Sequence, residues 1–236
     1  MREEDKIYGV YFICCIKHYL RVVREQLDIL KKGLLQVTTK LIIFITNYDE
    51  NNLELNCLLE QFNENNKFVI IKSSENLYEK FAINNYNKYI PDPNYYMYYF
   101  HTKGVSRSEG DVFESRRKLL DFYTLEKFYI NIKLLKCYDA VGCSSSLYPK
   151  KHFSGNFWWS KSSYVNTLVN VNDKYLSPEM YILSNDDCKF VSLANDVNHI
   201  IVDDNYIFRS DVDILENVTE CMRNNEEDKI YIKDCE

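Results

Sequence analysis

The tetrad His101-Thr102-Lys103-Gly104 follows directly on Tyr95 to Phe100, a run that is apolar or aromatic at every position. A buried strand that ends this way sets an imidazole, a hydroxyl and an ammonium group at one point. In open α/β sheets ligands collect beyond the carboxyl ends of the strands. There Lys103 can attract a phosphate charge, and Thr102 offers a hydroxyl. His101 can donate to an oxyanion or shuttle a proton. Gly104 permits close backbone approach or a positive φ. The competing reading is a strand-ending turn with a solvated lysine, and the tetrad alone does not choose between them.

Two further segments carry chemistry-capable residues. His152-Phe153-Ser154-Gly155-Asn156-Phe157-Trp158-Trp159-Ser160 reads as a strand from Gly155 to Ser160. Alternation then puts Asn156 and Trp158 on one face and Phe157 and Trp159 on the other. One pair can line a cleft while the other packs in a core, and an aromatic core strand explains the segment equally well. Ser177-Pro178-Glu179 suits a helix start, with Ser177 as cap and Pro178 at the first turn. Glu179 is then either a carboxylate favoured by the helix dipole or a general base facing a hydroxyl. Arg116-Arg117-Lys118 reads as a solvated helix face ahead of a phosphate clamp. Asp139 stands beside the strand at Val141-Gly142 as a pocket candidate. Asp186-Asp187, Asp203-Asp204 and Asp211-Val212-Asp213 are acidic loops of a common kind, and none is assigned a metal. P-loop, G-x-G-x-x-G and G-x-S-x-G signatures are absent.

The elements that must position these residues alternate along the chain. Strand-length apolar runs occur at Ile7–Ile16, Lys40–Thr46, Phe68–Ile71, Tyr95–Phe100 and Ala140–Val141, with short late ones at Lys189–Leu193 and Ile200–Val202. Between them, Lys17–Leu35, Leu53–Phe62, Asn76–Tyr89, Val112–Cys137 (with an interruption) and Lys161–Val169 read as helices. Continuous apolar strands separated by helices predict a mainly parallel sheet covered on both faces. One α/β domain over residues 1–223 is expected. Its nucleotide-binding half would span about 1–110 and its acceptor half about 111–223, before a loosely held acidic tail at 224–236.

Composition narrows the partners. The 236 residues carry a formal net charge of -6, which argues against a nucleic-acid binder, since that needs a basic face. Eight cysteines lack any C-x-x-C pair and lie mostly in apolar runs, so reduced, mostly buried thiols are expected and structural zinc is not. The apolar run after the charged N-terminus is too short for a membrane span or a convincing signal peptide. A cytoplasmic protein without a transmembrane segment is the expectation.

The blocks "YYFHTKGVSR", "YDAVGC", "HFSGNFWWSKSSYV" and "YLSPEMYI", in this order and spacing, resemble a glycosyltransferase-like family of bacteria and large DNA viruses. The resemblance covers roughly residues 7–195 and implies a small GT-A-type, Rossmann-like fold. It implies transfer of a sugar from a nucleotide-diphosphate donor to a hydroxyl on a glycan or glycoprotein. A catalytically inactive nucleotide-sugar or glycan-binding module of the same fold is the alternative. His101, Thr102, Lys103, Gly104 and Thr46 would bind the donor. Asn156, Trp158, Asp139 and Gly155 would bind sugar or acceptor, and Glu179 and His101 would be catalytic. Gly155 precedes Glu179 by the separation that, in related transferases, links a glycine-rich strand to the acidic base, which implies inversion. Where GT-A enzymes carry Asp-x-Asp, this chain has His101-Thr102-Lys103, so the cations themselves would neutralise the diphosphate without a metal. A UDP- or dTDP-type nucleotide-sugar is implied, with Mn or Mg as companion if an ion is used. Abundant Asn, Lys, Ile and Tyr fit an AT-rich coding sequence. With the family's range this implies a viral protein acting in the host cytoplasm or a virus factory.

Overall fold

The computed structural model describes residues 6–107, 112–174 and 176–194. Its strands are β1 (Lys6–Cys14), β2 (Lys40–Thr46), β3 (Phe68–Lys72), β4 (Tyr95–His101), β5 (Ala140–Gly142), β6 (Ser145–Ser146), β7 (His152–Phe153), β8 (Trp158–Lys161) and β9 (Phe190–Ser192). Seven of them form one sheet in the order β3-β2-β1-β4-β8-β5-β9, while β6 and β7 make a separate antiparallel pair. β1 pairs in parallel with β2 and β4, β2 with β3, and β5 with β9. β8 alone runs antiparallel, against both β4 and β5. The mainly parallel sheet expected from the sequence is therefore present.

The helices are α1 (Tyr19–Lys31), α2 (Leu34–Val37), α3 (Leu53–Phe62), α4 (Lys80–Ile83), α5 (Val112–Asp121), α6 (Phe128–Leu134), α7 (Ser162–Val165) and α8 (Ser177–Met180). Alternation along each strand builds two cores. Tyr11, Ile13, Ile43, Tyr98, Phe100 and Trp159 point into one, against α1, α3, α5 and α6. Val10, Phe12, Ile42, Phe44, Tyr99 and Trp158 point into the other, against α4, α7 and the chain after α8. A strand buried on both faces has no polar side to show, which is why β1, β2 and β4 read as continuous apolar runs. Each fully buried large aliphatic side chain adds roughly 1.5–3 kcal/mol, so both layers are held firmly.

A buried polar network crosses the first core beneath the end of β4. Tyr11 Oη donates to Gln26 Oε1 at 2.7 Å. Gln26 Nε2 donates to the His101 carbonyl at 3.1 Å and to Asp121 Oδ1 at 2.7 Å. Asp121 Oδ2 accepts from Arg117 Nη1 at 2.8 Å, and Arg117 also pairs with Glu25. Burial pushes the Asp121 carboxyl up to about 6. The network ties α1 and α5 to the last residue of β4.

Several expected elements are shorter than their sequence patterns. Asn76–Tyr89 contains only α4 and a 3-10 turn at Tyr86–Tyr89, because Tyr78 takes a φ of 53° just ahead of α4. The strand expected from Gly155 begins at Trp158, since Gly155 and Asn156 both have positive φ. Lys161–Val169 yields only the short α7. The interruption expected in Val112–Cys137 is a π-helical stretch at Phe122–Glu126. There the Tyr123 and Thr124 carbonyls accept side-chain donors, Asn131 Nδ2 and Trp159 Nε1, and the helical ladder opens around them.

Cys14, Cys15, Cys57, Cys143 and Cys188 are free, as expected, although Cys57 is exposed and only Cys143 and Cys188 are buried. Cys137 departs from the reduced reading and is disulfide-bonded, a pairing that local spacing could not exclude. Among the described residues no helix is long and apolar enough to cross a membrane. Residues 200–202, Asp203-Asp204, Asp211 and Asp213, and the tail at 224–236 lie outside the described residues.

The Arg117–Asp121 pair is almost wholly buried. Replacing Arg117 with methionine leaves a carboxylate without its counter-charge, so Arg117→Met is expected to lose about 3–5 kcal/mol of stability, read by urea denaturation.

Candidate functional site

The order β3-β2-β1-β4 reverses direction between β1 and β4. That reversal is a topological switch point, and its crevice opens beyond the carboxyl ends of the two strands. His101 ends β4 and Cys14 ends β1. Thr102 Oγ1 accepts from Cys14 N at 3.0 Å, and Thr102 N donates to the Phe12 carbonyl at 3.0 Å, so the two strand ends are stitched together. Gly104 takes a φ of 84° as the chain turns away, a value that favours glycine.

Opposite this turn lies the β7–β8 connection. Asn156 N donates to the Phe153 carbonyl at 2.9 Å, closing a tight turn in which Gly155 has a φ of 103°. Gly155 is held from both sides. Its N–H donates to Glu179 Oε1 at 2.7 Å, and its carbonyl accepts from His101 Nε2 at 2.9 Å. A proton on Nε2 is the tautomer this contact requires, and burial holds the imidazole below its ordinary pKa. A Cβ on Gly155 would lie 2.6 Å from Leu120 Cδ1 and 3.1 Å from Lys103 Cε. The bare glycine thus lets the lysine stem lie across the turn.

Asn156 is buried and committed. Its Nδ2 donates to Glu79 Oε2 at 2.6 Å, and its Oδ1 accepts from Trp158 Nε1 at 2.9 Å. Glu79 Oε2 also accepts from Tyr99 Oη at 3.0 Å and lies 3.8 Å from His101 Nε2. Four parts of the chain therefore meet here: the end of β4, the turn before β8, the residue ahead of α4, and α8.

The Lys103 ammonium has no hydrogen-bond or ion-pair partner among the described residues. Burial lowers its pKa, the Glu79 and Glu179 carboxylates oppose that shift, and the Arg116 guanidinium adds to it. Arg116 likewise has no ion-pair partner among them, and its Nε is buried without a hydrogen bond. Its neighbours on α5 differ. Arg117 is paired inside the core, and Lys118 lies by Glu114 at the surface. The Lys103 ammonium thus lies within electrostatic range of the Arg116 guanidinium and of the Glu79 and Glu179 carboxylates. Such an arrangement can hold an anion on the cations and take a proton on a carboxylate.

The structure brings His101, Thr102, Lys103, Gly104, Gly155, Asn156 and Glu179 together, but turns some of them inward. Trp158 is fully buried, stacked on Tyr99 at 5.3 Å, so no face of the indole is open to a sugar. Thr46 is fully buried at the end of β2, its hydroxyl without a hydrogen-bond partner. Asp139 is elsewhere. Its carboxylate pairs with Lys161 and accepts from Lys189 N. Lys161 stands beside Tyr96 in the ladder, five residues and roughly 16 Å from His101. Asp186 is exposed and lies by Lys151. Glu79 was missed because its segment carries a helical pattern that gives no sign of an inward carboxylate. Arg116 was legible only as part of a basic cluster.

A family described as a domain of unknown function, DUF8361, matches residues 14–193. The chain belongs to this family. No curated protein matches it in sequence. Among solved structures, a mannosyltransferase from Pyrobaculum calidifontis, in complex with GDP-Man and Mn2+, aligns with a TM-score of 0.51 at 8% identity. It covers 83% of this chain, which spans 56% of the length of that protein. A 4-diphosphocytidyl-2C-methyl-D-erythritol synthase from Anaerococcus prevotii aligns with a TM-score of 0.52 at 13% identity, covering 92% and 99% of the two chains. At these identities the likeness establishes the fold, which is the GT-A-like, Rossmann-type arrangement expected from the sequence.

A GT-A site with a divalent cation needs free oxygen donors at the end of the central strand. This member of DUF8361 has His101-Thr102-Lys103 there, with His101 Nε2 held by the Gly155 carbonyl and Thr102 Oγ1 by Cys14 N. Glu79 Oε2 already accepts two hydrogen bonds. Among the described residues no group of three or more His, Cys, Asp or Glu is placed to hold a metal ion. Among the described residues, His101-Thr102-Lys103 therefore supplies no Asp-x-Asp-like donor set for a divalent cation.

Gly155→Ala strains a positive φ and forces Leu120 to move. The variant is expected to lose about 1–3 kcal/mol, read as a lowered midpoint in thermal unfolding.

Proposed function

We propose that this chain is a transferase that binds a nucleotide-diphosphate sugar at the switch point and passes the sugar to a hydroxyl of a glycan or glycoprotein. The observation that carries the reading is the Lys103–Arg116 pair. Neither cation has an ion-pair partner among the described residues, Lys103 follows directly on the end of β4 where α/β folds collect nucleotides, and Arg116 is near enough to disfavour its charge. Glu79 and Glu179 offset part of this repulsion from a distance, yet neither forms an ion pair with Lys103 or Arg116, which leaves both cations able to bond the oxygens of a diphosphate.

In the proposed reaction Glu179 accepts the proton of the acceptor hydroxyl. The oxygen attacks the anomeric carbon, the bond from that carbon to the diphosphate oxygen breaks, and the electron pair leaves with the diphosphate. Lys103 and Arg116 hold the charge that develops there, a preorganised electrostatic role. His101 keeps the Gly155 turn in place, so that Glu179 and the Lys103 stem stay aligned. The cations take the part that a metal plays elsewhere, so the reading is of a metal-independent enzyme.

A second reading has its own observation. His101 and Glu179 both use polar atoms to hold the backbone of Gly155. If that is their whole work, the chain is a nucleotide-sugar binding module without turnover.

Affinity measurements locate the donor, and turnover separates the two readings. Lys103→Ala should weaken binding of a UDP- or dTDP-sugar at least tenfold, as losing a charged contact does, measured by calorimetry. Unaltered affinity would place the diphosphate elsewhere. Glu179→Gln should abolish transfer while affinity stays within a few fold. Wild-type protein that binds but neither hydrolyses nor transfers, with or without manganese, would instead support the module. Affinity should also fall with rising pH earlier than an ordinary lysine would dictate. The charged form of Lys103 is the binding form, and its pKa lies below the usual value of 10.5.

A further inference from the structure

A cavity of about 270 Å³ lies between α4, α7, the start of β4 and the chain just after α8. Ile83, Tyr86, Tyr95, Val165 and Tyr181 floor it, and Asn87, Asn166 and Asn170 stand exposed at its rim. Tyr95 begins β4 and His101 ends it, so the two sites are roughly 20 Å apart along the strand. Nothing in the chemistry at Lys103 uses this cavity.

Its lining is rich in groups that bond hydroxyls and poor in charge. Tyr95 Oη donates to Asn166 Oδ1 at 2.6 Å, which leaves both amide hydrogens of Asn166 to donate elsewhere. Asp92 accepts from Tyr8 Oη on one carboxylate oxygen, Oδ2, and its other oxygen is a further acceptor. Tyr86 and Tyr181 share a hydroxyl–hydroxyl bond of 3.1 Å and keep lone pairs to spare. The side-chain amides of Asn87 and Asn170 have no hydrogen-bond partner among the described residues. Leu168 and Ile90 supply apolar wall. Among the described residues no lysine, arginine or histidine lines the cavity, so none of them would compensate a phosphate there.

We infer that this cavity is a binding site for a neutral saccharide unit, separate from the nucleotide crevice. Amide donors, a carboxylate acceptor and phenol hydroxyls meet the hydroxyls of a sugar, while the aliphatic wall meets its C–H face. The volume sits just under the roughly 300–1,000 Å³ of pockets for larger ligands, which suits one or two sugar rings. The inference does not depend on the transferase reading, because a binding module would use the same groups.

The test uses the full chain and a panel of neutral probes: glucose, galactose, mannose, N-acetylglucosamine and their disaccharides. Saturation-transfer NMR should detect binding of at least one. Asn87→Ala and Asn170→Ala, both surface changes, should each weaken it roughly tenfold. Lys103→Ala should leave it unaltered, and an added nucleoside diphosphate should not displace the sugar. If no probe binds, or both asparagine variants bind as wild type does, the cavity is not a saccharide site. Displacement by a nucleoside diphosphate would also overturn the inference, since the sugar would then lie at the switch point.

Discussion

The site depends on how one glycine is held. Gly155 donates its N–H to Glu179 and accepts at its carbonyl from His101. These residues come from α8 and from the end of β4, elements that do not otherwise need to meet at this point. A residue with a side chain would be doubly penalised here, by its positive φ and by contact with Leu120. The clamp therefore needs glycine, and glycine in turn brings the Lys103 stem close enough to share the crevice with Glu79 and Glu179.

Around that clamp, burial decides what each group can do. Desolvation disfavours charge on both His101 and Lys103. The imidazole meets this by staying neutral and donating a hydrogen bond. Lys103 lies near two carboxylates but forms no direct pair with them, and the Arg116 guanidinium works against its charge. The polar network of Gln26, Asp121 and Arg117 lies just below and is fully paired. Adjacent arginines on α5 thus have opposite fates. Arg117 is structural because it pairs with the buried Asp121, whereas Arg116 is half-buried and pairs with no carboxylate among the described residues.

The two tryptophans show the same division between pattern and packing. Alternation correctly sends Trp158 and Trp159 to opposite faces, yet both faces of this strand are core. A sheet covered on two sides leaves β8 no exposed face, so Trp158 anchors Asn156 through its indole N–H in place of meeting a ligand. Asp139 lies away from His101 for a related reason. β8 and β5 run opposite to each other, so the start of β5 lies at the far end of the ladder from His101.

The sequence by itself determined the strands β1, β2 and β4, the mainly parallel sheet with helices on both faces, and the polar break at His101-Thr102-Lys103-Gly104 where β4 ends. These follow from local causes: continuous apolar runs make doubly buried strands, and a polar break after such a run falls at a strand end. Tertiary structure decided which polar groups look inward and which face the crevice. Glu79 reaches Asn156 and Tyr99 with its carboxylate, Arg116 lies within electrostatic range of Lys103, and Trp158 is shut in because β8 is buried on both sides. Each outcome depends on contacts between segments far apart in the chain, and no spacing along one segment encodes them.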